Sequence, residues 1–577
     1  MLHFKFLYMH LKMKNNFLLS FWVCLFSLGI QACRKMPVAD FILYNARIYT
    51  MLSPTDTLSA VAVEGEKIIA TGTIETVNKY SNANTKLIDL QGRTVLPGFT
   101  DAHIHPISSG LNLLECDLTD ITLKQNIIDS LQHFAALNPQ RKWIRGESMW
   151  LSAFKDGNPM KETLDSIIPD RPAYISSSDG HNAWVNSKAL ALAGISRETP
   201  DPKNGKIERD PKTKDPTGTL RESAQQLVSQ LLPKYTEEER IKALEKALSL
   251  ANQYGLTSLV EASASPEYIE TYQALENQHK LTTHINLSIY GDINQGMKAV
   301  QDVIHTRDKY QRSSGDIKYN QVKLFIDGVV EGKTAAMLSP YEHDHNRGIA
   351  NASPDTATAV ITALDKAGMQ IHVHSIGDRA TRITLDAFEH ARNTNRIRDS
   401  RHHIAHLHVI HPDDYPRFKS LDVIANIQAL WATLEDTYMT ELNYPYLGKE
   451  RVEWQYPIGS LQKAGATLVF GSDWNVSTQN PFYCMQVAVT RRGPDSIKRE
   501  AWTPQHLIDR YSVVKGYTVN GAYLTFREKE TGTIEAGKLA DIIVLDQDIF
   551  TCDVFHIYKT KVLKTFFRGK EVYNSGN

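Results

Sequence analysis

Three times between residues 236 and 470, a helix-type segment stops at a glycine and a short apolar strand begins at once. No other feature restricts the fold as much. Thr236 caps the first helix, and Glu239, three residues on, completes a capping box. Ile241, Leu244, Leu248 and Ala251 share one helical face, Gly255 ends the helix, and the strand Leu256 to Val260 follows. Helix 356–367, Gly368 and strand Met369 to His374 repeat the scheme, as do Leu461 to Ala464, Gly465 and strand Ala466 to Phe470. Repeated units with apolar strands predict a parallel sheet covered by helices. If such a sheet closes into a barrel, its chemistry gathers at the C-terminal ends of the strands.

A chain of 577 residues with 42% hydrophobic content is long enough for more than one folding unit. Both ends have a different character from the middle. Phe41 to Tyr49, Ala60 to Val63 and Lys67 to Ala70 read as short strands, the last two around the turn Glu64-Gly65-Glu66. Ala540 to Leu545, Val562 to Phe567 and Glu571 to Tyr573 read likewise at the other end. Neither end can bury a core alone, so residues 39–97 and 530–577 are expected to pair into one β-sandwich, with the barrel over 98–529. Residues 110–235 fit the helix–strand rhythm poorly and carry the polar runs Asp201-Pro202-Lys203-Asn204-Gly205 and Asp210-Pro211-Lys212. They are read as an inserted subdomain over the barrel mouth.

Charge excludes one class of partner. With 64 Lys+Arg against 65 Asp+Glu and no basic block, nucleic acid held by phosphate contacts is not expected. The first 32 residues read as an export signal: Lys12 and Lys14 precede the apolar run Phe17 to Ile30, and Gln31-Ala32-Cys33 resembles a bacterial lipobox. The run is shorter than the roughly 20 residues that span a bilayer, which disfavours a transmembrane anchor. Met13 opens a more typical signal than Met1. The expected location is therefore the bacterial cell envelope, facing the periplasm or cell surface, with membrane attachment only through a lipid on Cys33. Cys116, Cys484 and Cys552 are too widely spaced for a disulfide framework or a CxxC metal clip.

Ligand-type side chains recur at or near predicted strand ends. His103 and His105 sit at i and i+2 on one strand and so point to the same side. Lys323 interrupts the apolar strand Gln321 to Ile326, where a bare ammonium is costly. His374 ends Gln370-Ile371-His372-Val373-His374, His406 lies in His402 to His406, and Asp473 follows Leu468 to Ser472. Taken singly, each residue has an ordinary structural role: a satisfied core histidine, a snorkelling lysine, a helix cap. Together they read as a metal site built from strand ends.

Longer motifs carry a resemblance: VLPGFTDAHIHP at 95–106, RPAYISSSDGHNAWVNSKAL at 171–190, VKLFIDG at 322–328, HVHSIGDRA at 372–380, HIAHLHVI at 403–410, GSDWNV at 471–476 and GTIEAGKLADIIVLD at 532–546. With these the chain resembles the amidohydrolase superfamily, in the branch of N-substituted formamide deformylase-like (amidohydrolase 3 type) enzymes, from about residue 40 to 574. The resemblance implies an α/β fold, a distorted (β/α)8 TIM barrel with a composite β-sandwich from both chain ends and an inserted α/β subdomain. It implies one or two divalent ions on His103, His105, Lys323, His374, His406 and Asp473, with Lys323 carboxylated to bridge them. His372 shares strand parity with His374, and the preference for His374 rests on the family motif alone. Zinc suits this donor set, and manganese, iron and nickel stay open.

The implied activity is hydrolysis of a non-peptide carbon–nitrogen bond in a small N-acyl, N-formyl or cyclic amide. Water activated by the metal attacks, and Asp473 acts as general base and then acid. His181, within Ser178-Asp179-Gly180-His181-Asn182, matches a motif of the branch and is a second catalytic candidate, reaching substrate from the insertion. Trp150 and Arg379 are candidates for lining the pocket, and Glu222 is expected to pair with a basic residue. Ala405 and His408 depart from the acidic residue and the glutamine that many relatives carry there. The competing readings are a non-catalytic envelope binding protein on the same barrel and an ester or lactone hydrolase.

Overall fold

Eight parallel strands lie side by side in the order in which the chain makes them: β1 Phe99–Ile104, β2 Leu256–Ala264, β3 His284–Tyr290, β4 Ile317–Phe325, β5 Gln370–Ser375, β6 His403–His406, β7 Ile424–Ile427 and β8 Thr467–Phe470. The computed structural model describes residues 36–576, apart from 120, 178, 179, 181, 203, 204, 313, 314, 331 and 434–442. The expected leader, Cys33 and His181 lie outside the described residues. The parallel sheet covered by helices that the helix–strand rhythm predicts is present, in the (β/α)8 barrel form that the family resemblance implies.

The helices begin where local chemistry starts them. Thr236 and Glu239 form the reciprocal capping box ahead of Glu237–Gln253. Ser353 caps Pro354–Lys366, two residues before the predicted start, because its hydroxyl accepts from the Thr356 amide and Pro354 occupies a position that needs no N–H donor. Leu244, Leu248 and Ala251 are buried against the barrel wall, with Ile285, Val322 and Val373 in the same core.

Closure of the barrel depends on one glycine. A Cβ on Gly471, just past β8, would lie 2.5 Å from the His103 amide nitrogen, a separation no side chain tolerates. The close approach lets the Asp473 amide donate to the His103 carbonyl at 2.7 Å. Asp101 Oδ1 accepts from both the His103 and the Ser472 amides at 3.1 Å, pinning β1 to the segment after β8.

Between β1 and β2 the chain builds a six-stranded sheet, ordered Gly205–Arg209, Pro216–Glu222, Asn182–Val185, Ala173–Ser177, Ile144–Met149, Cys116–Asp117. It has its own apolar clusters, one around Ile127, Leu131, Ile144 and Trp184 and another around Val185, Leu190, Ile207 and Leu220.

The two chain ends form two further sheets, of four and six strands. Ile542–Leu545 runs antiparallel to Thr94–Pro97, so residues from both ends share one sheet. Val61, Val63, Val95, Ile542, Val544 and Phe566 fill the space between the sheets. Charged groups join this unit to the barrel. The fully buried imidazole of His284, at the start of β3, lies 2.9 Å from Asp316 and 2.8 Å from Asp541, and Arg568 reaches Asp316 at 2.6 Å. Asp541→Ala should strip His284 Nε2 and the Arg568 amide of their acceptor, at a cost of about 3 kcal/mol. The expected result is a clearly lower midpoint in thermal unfolding; an unchanged midpoint would remove this bridge from what holds the sandwich in place.

Among the described residues, Cys116, Cys484 and Cys552 are free thiols, and no helix is long and apolar enough to cross a membrane.

Candidate metal centre

The C-terminal ends of five strands bring six side chains together inside the barrel. Because β1 alternates, His103 and His105 both face inward, and both ring Nε2 atoms approach one oxygen: Asp473 Oδ1 is 3.5 Å from His103 Nε2 and 3.2 Å from His105 Nε2. Possible ligand atoms of these three residues all lie within 4.8 Å of one another. The amine of Lys323, on β4, is 3.2 Å from His103 Nε2. From β6, the His406 ring centroid is 4.7 Å from that of His103, and its Nδ1 is 3.8 Å from Asp473 Oδ2. His374, on β5, packs edge-on against His406 with centroids 4.5 Å apart.

Two of these side chains are aimed by unusual backbone. His406 has φ 75° and Asp473 φ 52°, left-handed conformations that cost a non-glycine residue roughly 1–3 kcal/mol. Both sit at or just beyond a strand end, where the chain turns sharply and directs the side chain back over the barrel axis.

The electrostatics of the cluster follow from burial set against neighbours. Burial, joined by the nearby charge of Lys323 and by the other imidazoles, pushes His103 well below the ordinary histidine range. Burial also drives His406 down, helped by His374. His105 goes the other way: burial pulls it down, but hydrogen bonds and charge from Asp473 and Glu261 outweigh that and push it up to about 9. Burial lowers Lys323 to about 7, opposed by Asp473 and Glu261. Burial would raise Asp473, yet His105, His406 and Lys323 hold its carboxyl well below the usual range. The His374 and His406 Nδ1 atoms are buried with no hydrogen-bond partner in the protein. Ring nitrogens that make no hydrogen bond within the protein, gathered around an ionised carboxylate, are a donor set that fits a divalent cation.

Several neighbours escaped the sequence reading. Glu261, fully buried on β2, lies 3.5 Å from His105 Nδ1 and accepts from the Tyr272 hydroxyl at 3.0 Å. An acid inside the apolar strand Leu256–Ala264 was its signal, of the same kind as Lys323 in β4. Asp327 accepts the Ala336, Ile376 and Gly377 amides and stands 3.4 Å from His374 Nδ1. The indole of Trp431 lies parallel to the His406 ring, with centroids 5.7 Å apart. No local pattern marks that tryptophan.

Both histidines of the β5 pair point inward, at different depths. His372 is wholly buried and contacts His103 Nδ1 at 2.9 Å, whereas His374 lies beside His406 nearer the mouth. Of the weaker candidates, Trp150 is 41% exposed, Arg379 lies in the first turn of helix Asp378–Asn395, and Glu222 closes an insertion strand. His408 is buried and stacks on Tyr456 at 4.5 Å.

Comparison with known proteins agrees with this architecture. A family model described as "Amidohydrolase family" matches residues 86–573. Protein LONG AFTER FAR-RED 3 of Arabidopsis thaliana is 28% identical over 554 residues, covering 93% of this chain and 92% of that protein. N-substituted formamide deformylase of Arthrobacter pascens is 26% identical over 546 residues, covering 92% and 97%. Among solved structures, an uncharacterized metal-dependent hydrolase from Pyrococcus furiosus superposes with a TM-score of 0.71 at 23% identity, covering 89% of this chain and all of that one. The family match runs from the strands of the sandwich through the whole barrel, and on that extent the chain belongs to the amidohydrolase family, a family of metal-dependent hydrolases.

Proposed function

We propose that this protein hydrolyses a carbon–nitrogen bond other than a peptide bond in a small N-acyl, N-formyl or cyclic amide. The observation that carries the reading is Asp473, whose one carboxylate stands 3.2–3.8 Å from three imidazoles, two of them buried and that of His105 partly exposed, beside a buried lysine. His103, His105, His374, His406, Asp473 and Lys323 would hold one or two divalent ions, with zinc the first choice for such donors. A bound ion of this kind lowers the pKa of a water toward about 7 and polarises a carbonyl oxygen.

The chain supplies the rest. Asp473 is held ionised by its neighbours and can therefore accept the proton of the attacking water and deliver it to the departing nitrogen. Lys323, with its pKa lowered to about 7 by burial, presents a large fraction of neutral amine. Reaction of that amine with carbon dioxide forms an N–C bond and releases a proton, turning a costly buried cation into an anionic oxygen donor. The choice of C–N over C–O cleavage is supported by the name of the Arthrobacter pascens relative, similar over 92% of this chain.

Purified protein is expected to contain about two divalent ions per chain and to lose turnover after chelation. Activity should return with added zinc or manganese. Metal analysis finding no stoichiometric ion in protein never exposed to chelator would end the proposal. Faster turnover of matched esters than of amides would move the activity to C–O bonds.

A further inference from the structure

Below the proposed metal ligands, the barrel holds a second tier of polar side chains that neither ion binding nor proton transfer uses. Nε2 of His372, on β5, lies 2.9 Å from Nδ1 of His103. Nδ1 of His372 lies 2.9 Å from the Ser288 hydroxyl on β3, and that hydroxyl donates to Oε1 of Gln321 on β4, again at 2.9 Å. His103, His372, Ser288 and Gln321 are each at most 1% exposed, so these contacts carry the polar matching of the tier. The plane of His372 is set by packing: it stands edge-on to His103 and lies tilted by 31° against His403, with centroids 4.0 Å apart.

The direction of each bond follows from proton counting. A serine hydroxyl has one proton, and with the Gln321 amide oriented so that Oε1 faces Ser288 and Nε2 has no partner, Ser288 gives that proton to Gln321. The Ser288 oxygen therefore meets His372 as an acceptor, and the N–H of His372 is on Nδ1. A neutral imidazole has only one N–H, so Nε2 of His372 is a lone pair. The bond between the two rings must then be donated by Nδ1 of His103. That leaves Nε2 of His103 as a lone pair, on the side facing Lys323 and Asp473. Reversing any link would put the proton on that nitrogen and remove it as a ligand.

We propose that Gln321, Ser288 and His372 form a one-way hydrogen-bond relay that holds His103 in its Nδ1–H tautomer and keeps Nε2 available to a cation. The three are positioning residues, and the proposal rests on the reading of His103 as a metal ligand.

The decisive comparison is Gln321→Leu against Gln321→Glu, with cobalt(II) titrated into metal-free protein in competition with a chelating indicator. Leucine cannot accept, so the Ser288 proton is free to turn to His372 and the relay can reverse; cobalt affinity should fall about 10- to 100-fold. An ionised glutamate only accepts, so affinity should stay near that of the natural protein. A purely structural role for Gln321 predicts the opposite order, since a buried site tolerates leucine better than a charge. A second readout needs no variant to fold in the barrel's second tier: in metal-free natural protein labelled with 15N-histidine, His103 and His372 should both show Nδ1–H tautomers. Unchanged cobalt affinity in Gln321→Leu, or an Nε2–H signal from either ring, would overturn the relay while leaving the metal site standing. Natural protein that takes up no cobalt would overturn the metal reading and the relay with it.

Discussion

Asp473→Asn is expected to cut kcat by about 10³-fold or more while leaving the fold intact. The loss follows from charge. The carboxylate lies 3.2 Å from His105 Nε2, 3.5 Å from His103 Nε2 and 3.8 Å from His406 Nδ1, and an amide there can neither take a proton nor balance those rings. His105 loses one of the two carboxylates that raise it, and Lys323 loses the nearby negative charge that opposes its burial. Survival of the fold follows from the backbone. Residue 473 has φ 52°, a conformation that asparagine adopts more readily than most residues, and its amide still donates to His103. Steady-state kinetics beside a thermal melt separate the two effects. Unchanged kcat would take Asp473 out of the reaction.

Lys323→Ala is the second large effect. Turnover should drop by about 10²-fold or more, and short carboxylic acids such as acetate or propionate should restore part of it. Lys323 is 1% exposed, its amine 3.2 Å from His103 Nε2 and 4.9 Å from the centre of the Phe325 ring. Truncation opens a space in that wall of the site, and a small carboxylate can fill it while presenting the oxygen donor proposed for the modified lysine. A thermal melt beside the kinetics separates loss of fold from loss of the oxygen donor. Restoration by acetate but not by matched neutral amides would mark the anionic oxygen as the missing element. If no carboxylic acid restores turnover at any concentration the protein tolerates, the carbamate on Lys323 must be abandoned.

Where a single segment carries the cause, it can be read without the fold. The capping box at Thr236 and Glu239 and the strand after Gly255 depend only on residues a few positions apart. The shared direction of His103 and His105 is the two-residue period of a strand. Lys323 stands out by being charged where its neighbours are apolar, and Glu261 carries the same signal on β2.

Depth and closure are different. The alternation of β5 points His372 and His374 the same way, and nothing in Gln370 to Ser375 says which lies beside His406 and which beneath His103. The insertion is also hard to read, because its sheet pairs short strands that are far apart in sequence, such as Asn182–Val185 with Pro216–Glu222.

From its sequence alone, then, this protein's alternating helices and strands and the shared direction of His103 and His105 were already determined, since each depends on neighbours within a turn or two. Only the tertiary structure decided that Gly471 would admit the His103 backbone, that Asp473 would reach three imidazoles, and that Ser288, Gln321 and His372 would line up under one of them. The reason is geometric: strands remote in sequence become neighbours only when the sheet closes, and closure sets which side chains share a layer.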